Sequence, residues 1–227
     1  MKKIFLSICV LFAMLIGFAQ KKWAIEIKTG VNTFSNAGPD NPPSVSFKSN
    51  SGFMGGALGT YFISNRFAVK SGFLYEFRRF KMEYKSSGSY TYPTGLFTPY
   101  TSYQTVHYTL NSEFKYTISV LTIPFYGQYE IGNKVKGLFY AGPYVSIPMN
   151  TKRVSVRTPI GYTYPDIKNT NVEFGFSMGA GLIIPMNHVF DFVGNANYKV
   201  GINKSLNRLV KGYLYDLGVS VGLRYHF

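Results

Sequence analysis

The chain has 227 residues, 46% of them hydrophobic and 18% aromatic, with 24 Lys and Arg against 10 Asp and Glu, a formal charge of +14. After its first segment no run approaches the ~18 consecutive apolar residues of a membrane-crossing helix, so an α-helical membrane protein is excluded and the hydrophobicity must be spread through alternation.

Residues 1–19 carry Lys2 and Lys3, then the apolar run Ile4 to Phe18, with Gly17 and Ala19 as small residues before a cleavage point. That order predicts a secretory signal peptide and a mature domain over 20–227. Losing Lys2 and Lys3 leaves +12, because residues 1–19 hold no acid. Cys9 falls inside the apolar run and is removed with it, so no disulfide or thiolate-metal chemistry is expected. Export also argues against nucleic acid as the acidic partner, leaving lipopolysaccharide phosphates as the better one.

From there the pattern has period two, the signature of strands whose side chains point alternately to opposite faces. Trp23–Phe34 sends Ile25, Ile27 and Val31 one way and Glu26, Lys28 and Asn32 the other. Gly52–Ile63 is glycine-rich and its register cannot be read. In the third predicted strand, Phe67 to about Met82, Phe67, Val69, Phe73, Tyr75 and Phe77 oppose Lys70, Glu76 and Arg78. The fourth and fifth, Lys115–Ile131 and Gly137–Met149, contain Pro124, Pro143 and Pro148, which predict bulges or broken pairing because proline lacks the ladder donor. The sixth, Val172–Ile184, is lined inside by Glu173, Gly175, Ser177, Gly179 and Gly181, and the seventh, Val189–Asn203, by Asp191, Asn195, Asn197 and Lys199. In the last, Tyr213–Phe227, Tyr213, Tyr215, Leu217, Val219, Val221, Leu223, Tyr225 and Phe227 share one face. Ten steps from Tyr215 to Tyr225, tilted about 40°, span roughly the ~25 Å lipid-facing band of an outer-membrane barrel, with aromatics at both edges.

Eight strands, short links at 64–66, 132–136 and 185–188, and long ones at 35–50, 83–114, 150–171 and 204–212 predict an all-β fold. It is a closed, eight-stranded, antiparallel up-and-down transmembrane β-barrel in the outer membrane. Residues Tyr103 to Thr117 keep β-favouring types, so the second outer hairpin is expected to continue above the membrane. The expected lumen holds Glu26, Lys28, Lys70, Glu76, Arg78, Glu130, Glu173, Asp191, Lys199, Asp216 and Arg224, six acids among five bases. An eight-stranded interior is just wide enough for side chains to fill, so this list predicts a paired network closing the barrel. Opposite charges meet between the last two strands only if facing residues sum to 415, which sets Lys199 opposite Asp216 and Asp191 opposite Arg224. Glu26 is expected to share Arg224 with Asp191.

The chain resembles the outer membrane protein beta-barrel domain family of Bacteroidetes-type bacteria, which includes PorT-like proteins. The likeness rests on Phe18-Ala19-Gln20-Lys21-Lys22, Leu121-Thr122-Ile123-Pro124-Phe125 with Tyr129, Tyr140-Ala141-Gly142-Pro143-Tyr144, and the ending Ser220 to Phe227. It implies location and fold, and for the PorT-like branch an association with secretion.

Literal motif matches are explained by strands. Gly175-Phe176-Ser177-Met178-Gly179 has the spacing of a nucleophile elbow, but alternation continues through Ile184 where the elbow needs a helix. Gly127, Gly132 and Lys134 approach a phosphate loop, yet no Ser or Thr follows the lysine. His107, His188 and His226 lack metal-ligand spacing. A lipid-deacylating group of His107 with Ser102 or Ser112 and Glu113 is a minor alternative. No catalytic residue, metal or cofactor is therefore expected. Lys152, Arg153, Arg157 and Lys168 in the third outer loop, and Lys204, Arg208 and Lys211 in the fourth, are either a solvated surface or a lipopolysaccharide-phosphate contact. Tyr84, Tyr90, Tyr92, Tyr100, Tyr103 and Tyr108 in the second either bind a protein or sugar or pack on each other. The expected role is structural or surface-interacting, for a monomer in contact with outer-membrane lipid and with an extracellular or secretion-system protein as a candidate partner. A narrow pore or secretion component is the alternative, and a lipid-modifying enzyme the third. A soluble calyx with its apolar face inside is the competing fold.

Overall fold

A computed structural model describes residues 22–37, 45–94, 102–157, 171–203 and 213–227. The signal segment, Lys168, Lys204, Arg208, Lys211 and Tyr100 lie outside the described residues. Eight strands run in order: β1 (Trp23–Ala37), β2 (Val45–Phe62), β3 (Phe67–Thr94), β4 (Ser102–Ile131), β5 (Lys136–Arg157), β6 (Glu173–Pro185), β7 (Phe190–Gly201) and β8 (Tyr213–His226). Each pairs antiparallel with its neighbour and β8 closes on β1, so the ring has no free edge along its wall. Closure satisfies the backbone amides that lipid cannot, which is why a barrel and not an open sheet spans a membrane.

The faces follow the alternation. Ile27, Phe73, Leu217 and Val219 are between 57% and 68% exposed, whereas Glu26, Glu76 and Arg224, on the opposite faces of these strands, are fully buried. That polarity is the reverse of a soluble calyx. Aromatic pairs ring the end where the chain termini and short turns lie: Trp23 with Tyr61 at 4.9 Å, Phe67 with Tyr129 at 4.8 Å and Phe190 with Tyr225 at 5.2 Å. This is the periplasmic end. Its turns are closed locally. The Asn187 carboxamide oxygen accepts from the amides of Val189 and Phe190 at 2.9 and 2.8 Å. Gly132 takes a φ of +116°, where a Cβ would meet the Val135 carbonyl.

At the other end the strands outrun the expectation. β3 and β4 pair from Phe67 and Tyr129 up to Thr94 and Ser102, giving the tall hairpin that the β-favouring composition predicts. β2 starts at Val45 and β5 runs to Arg157, so Lys152, Arg153 and Arg157 stand on a strand and not in a loop, a correction to the sequence reading. Bulges obscured this. Asn50 pairs with Arg79 but Phe53 with Phe77, and Ser119 pairs with Asn150 but Val120 with Pro148, so an extra residue on β2 and one on β5 invert the in-out parity above them, and a further shift between Glu113–Arg157 and Phe114–Ser155 adds a second extra residue near the top of β5. The second bulge lies beside Pro148. Between β4 and β5 the ladder also skips from Pro124–Tyr144 to Gly127–Ala141 without changing register, beside Pro124 and Pro143.

The lumen is filled, though not by charge alone. Towards the outer end Phe34, Phe80, Met82, Phe114, Tyr116, Ile118, Val120 and Leu214 form an apolar layer, with the Phe80 and Tyr116 rings stacked at 5.1 Å. A second layer, Tyr126, Leu138, Tyr140, Ile183 and Val193, sits lower. The glycines of β6 make this filling possible: Tyr140 and Tyr144, directly opposite Gly179 and Gly175, lay their rings where a Cβ would otherwise stand.

Candidate functional site

The eleven ionisable residues expected in the lumen are all buried, none more than 6% exposed. Adjacent strands β7 and β8 have the register in which Asp191 faces Arg224 and Lys199 faces Asp216. Several of the short ion pairs nevertheless cross the lumen. Lys199 of β7 binds Glu76 of β3, and Arg224 of β8 binds Glu130 of β4 at 2.7 Å, in both cases four strands around a ring of eight. Arg78 of β3 reaches Glu173 of β6 at 2.6 Å as well as its own-strand neighbour Glu76 at 3.1 Å. Lys70 of β3 reaches Glu26 of β1 at 2.5 Å.

These contacts form two nodes. The outer node holds Glu76, Arg78, Glu173, Lys199 and Asp216. Tyr144 donates to Glu173 at 2.5 Å and Asn32 to Asp216 at 3.0 Å. The periplasmic node centres on Arg224, with Glu130 at 2.7 Å, Glu26 at 3.6 Å and Asp191 at 3.9 Å. Asp191 and Glu26 do share Arg224, but Glu130 lies nearest to it and His226 is the close partner of Asp191 at 2.6 Å. Between the nodes Lys28 donates to Asn195 at 3.3 Å, and Tyr140 and Ser220 donate to the same oxygen at 3.1 and 2.8 Å. Buried ions are tolerated only when paired and hydrogen-bonded. Here the pairing itself braces opposite walls.

Other sequence candidates are dispersed. Ser177 lies mid-strand on β6, buried, accepting from the Tyr126 hydroxyl at 3.3 Å, with no turn at the motif. His107 and Ser112 have opposite parity on β4, and Ser102 and Glu113 lie five and six residues from His107, roughly 17 and 20 Å along an extended strand. These residues do not converge. Among the described residues no three His, Asp or Glu side chains gather as metal ligands. Tyr84, Tyr90 and Tyr92 stand on β3, and Tyr103 and Tyr108 on β4. Tyr108 lays its ring over Gly88, its partner across the hairpin.

A basic outer rim emerges that the loop assignment concealed. On β3 the outward run from Phe67 to Phe77 covers about 25 Å of membrane height at 40° tilt, and Arg79 follows immediately. Arg79 pairs with Thr117, which pairs with Lys152, and the next row out sets Lys48, Lys81 and Lys115 side by side. Among the described residues the acids on this face are Glu83, bound to Lys48 at 2.7 Å, and Glu113, bound to Lys81 at 2.7 Å. Glu83 raises the Lys48 ammonium and Lys81 lowers the Glu113 carboxyl. Among the described residues Arg79, Lys115 and Lys152 are left without an ion-pair partner, exposed on this outward face. Arg153 instead turns inward over the Phe114 ring at 5.5 Å, because the bulge reverses its parity. The signal for Arg79 was present: a base directly ending an alternating apolar run.

A closed eight-stranded ring with a lipid-facing apolar exterior and a braced polar interior defines a small integral outer-membrane β-barrel. The chain belongs to the outer membrane protein beta-barrel domain family, which matches residues 18–207. Among solved structures it is similar to the outer membrane protein OprG from Pseudomonas aeruginosa, at 12% identity over 92% of this chain and 97% of that one, with a TM-score of 0.50. Neisserial surface protein A matches at 16% identity over 90% and 97%, TM-score 0.48. Ail of Yersinia pestis matches at 14% over 91% and 99%, TM-score 0.40. At these identities the likeness is one of fold. Comparison with curated protein sequences gives no match.

Proposed function

We propose that this protein is a non-conducting, non-enzymatic surface barrel that grips lipopolysaccharide phosphates through Arg79, Lys115 and Lys152 and holds the β3–β4 hairpin above the membrane for contact with a protein or glycan. The outward basic row at the upper edge of the lipid band carries this reading, since only bases placed at that height meet the phosphates of the outer leaflet. Lys152 belongs to the basic set read from the sequence; Arg79 and Lys115 join it through register. The cross-lumen braces and the two apolar layers support a closed bore.

Each base near an anionic membrane surface contributes about 1 kcal/mol, so Arg79→Gln with Lys115→Gln and Lys152→Gln together should weaken lipid A binding by about 100-fold at low salt. Titration of the detergent-purified protein measures this, and an unchanged affinity refutes the lipopolysaccharide contact. In planar bilayers the wild type should show no stable conductance steps. A secretion-associated role of the PorT-like kind is the alternative reading, and secretion genes beside this one would favour it.

A further inference from the structure

The lipid-facing wall is not evenly covered. Small outward residues on four consecutive strands, Gly127, Ala141, Ala180 and Ala196, leave a trench of about 820 Å³ between taller side chains such as Tyr129 and Tyr198. It runs from Phe67 on β3 to Leu217 on β8. Five strand spacings are ~24 Å, and at ~40° strand tilt they climb ~15 Å from the periplasmic edge, a little over half of the ~25 Å lipid-facing band. Most of the trench therefore lies in the periplasmic leaflet, which in an outer membrane is phospholipid.

At its lower end Ile63 lines both the trench and a polar pocket of about 480 Å³ formed with Lys22, Phe62, Ser64, Asn65, Lys136 and His226. Charge at this rim is one-sided. Lys22, Arg66 and Lys134 are exposed, with no carboxylate partner among the described residues. The nearby acids Glu26, Glu130 and Asp191 face inward, already held by Lys70, Arg224, Lys136 and His226. Lys22 lines this pocket, Arg66 adjoins Phe67 at the lower end of the trench and Lys134 lies in the turn between β4 and β5, so an apolar trench that ends among unpaired bases matches a molecule with an acyl chain at one end and a phosphate at the other. We infer that this face binds one anionic phospholipid of the periplasmic leaflet, an acyl chain in the trench and its phosphate among Lys22, Arg66 and Lys134.

Native mass spectrometry of the full chain released from detergent tests this, with phosphatidylglycerol, phosphatidylcholine or lipid A added separately. One phosphatidylglycerol should bind about tenfold more tightly than phosphatidylcholine, as anionic selection by a basic cluster requires. Lys22→Gln, Arg66→Gln and Lys134→Gln combined should abolish that preference. Ala180→Phe should weaken both phospholipids, and Gly127→Leu should do the same at a position where the nearest atom to an added Cβ is the Ala141 carbonyl at 3.8 Å. Heat-shifted gel mobility establishes that each variant is folded. Equal affinity for the two phospholipids, a preference for lipid A, or a dimer that Ala180→Phe dissolves would overturn the proposal, the last by making the trench an interface between copies.

Discussion

Replacing Arg224 with Met removes the charge at the periplasmic node while keeping most of the side-chain volume. Arg224 is completely buried and lies within 4 Å of three carboxylates, on Glu130, Glu26 and Asp191. Breaking a buried pair by deleting one partner costs about 3–5 kcal/mol, because the remaining charge is stranded. Each carboxylate retains a second partner here: Lys70 for Glu26, His226 for Asp191, and Gln128 at 2.7 Å with Lys136 at 3.3 Å for Glu130. The loss should thus fall near the lower end, about 3 kcal/mol. Trp23 is the only tryptophan and stands at the lipid interface, so its emission follows insertion from urea into vesicles. Adding Glu130→Gln to Arg224→Met removes the most exposed consequence of the deletion and should restore more than half of the lost stability. A change below about 1 kcal/mol for Arg224→Met, or no recovery in the double variant, would show that the cross-lumen pairs do not support the barrel.

Val219→Arg places a charge at mid-bilayer on an outward position 57% exposed, and should cost about 2–4 kcal/mol and block stable insertion; normal yield in vesicles would mean that the faces are exchanged. Gly179→Val should destabilise by about 1–3 kcal/mol, since its side chain would occupy the space of the Tyr140 ring, and Tyr140→Ala in the same chain should relieve part of that loss, read by the urea midpoint. Excising residues 86–110 in favour of a two-residue turn should leave heat-modifiable migration and the urea midpoint unchanged, because above Tyr84 and Glu113 the described ladder of β3 and β4 is only with each other. A collapse of folding yield would show that the hairpin supports the wall.

Strand faces were legible wherever alternation ran without interruption, as in Tyr213–Phe227 or Glu173–Ile184, because one face meets lipid and the other the lumen. The β7–β8 register was legible too, since only one alignment set Asp191 against Arg224 and Lys199 against Asp216. Bulges defeated the same logic. Extra residues near Ser51 on β2 and at Met149 and near Val156 on β5 break the alternation, so the upper halves of β2 and β5 read as irregular and Lys152 and Arg153 as loop residues. Partner choice was also hidden. Pattern matching joins residues on neighbouring strands, but long side chains in a narrow bore meet the far wall, as Lys199 meets Glu76. The apolar layer of Phe34, Phe80 and Phe114 escaped notice because inward aromatics above the lipid band resemble outward ones until the register is known.

Braces that join a strand to the one diametrically opposite it have a consequence for assembly. The segment of β1 to β4 carries Glu76 and Glu130, while their partners Lys199 and Arg224 arrive only with β7 and β8. A chain half inserted would leave Glu76 and Glu130 without their cross-lumen partners, Glu76 keeping only Arg78 on its own strand and Glu130 only Gln128 until Lys136 of β5 arrives. Those charges therefore act as a lock that penalises every incomplete ring, and seam closure between β8 and β1 and neutralisation of the bore become one event. Separately produced halves of this barrel should each remain outside the membrane until they are mixed.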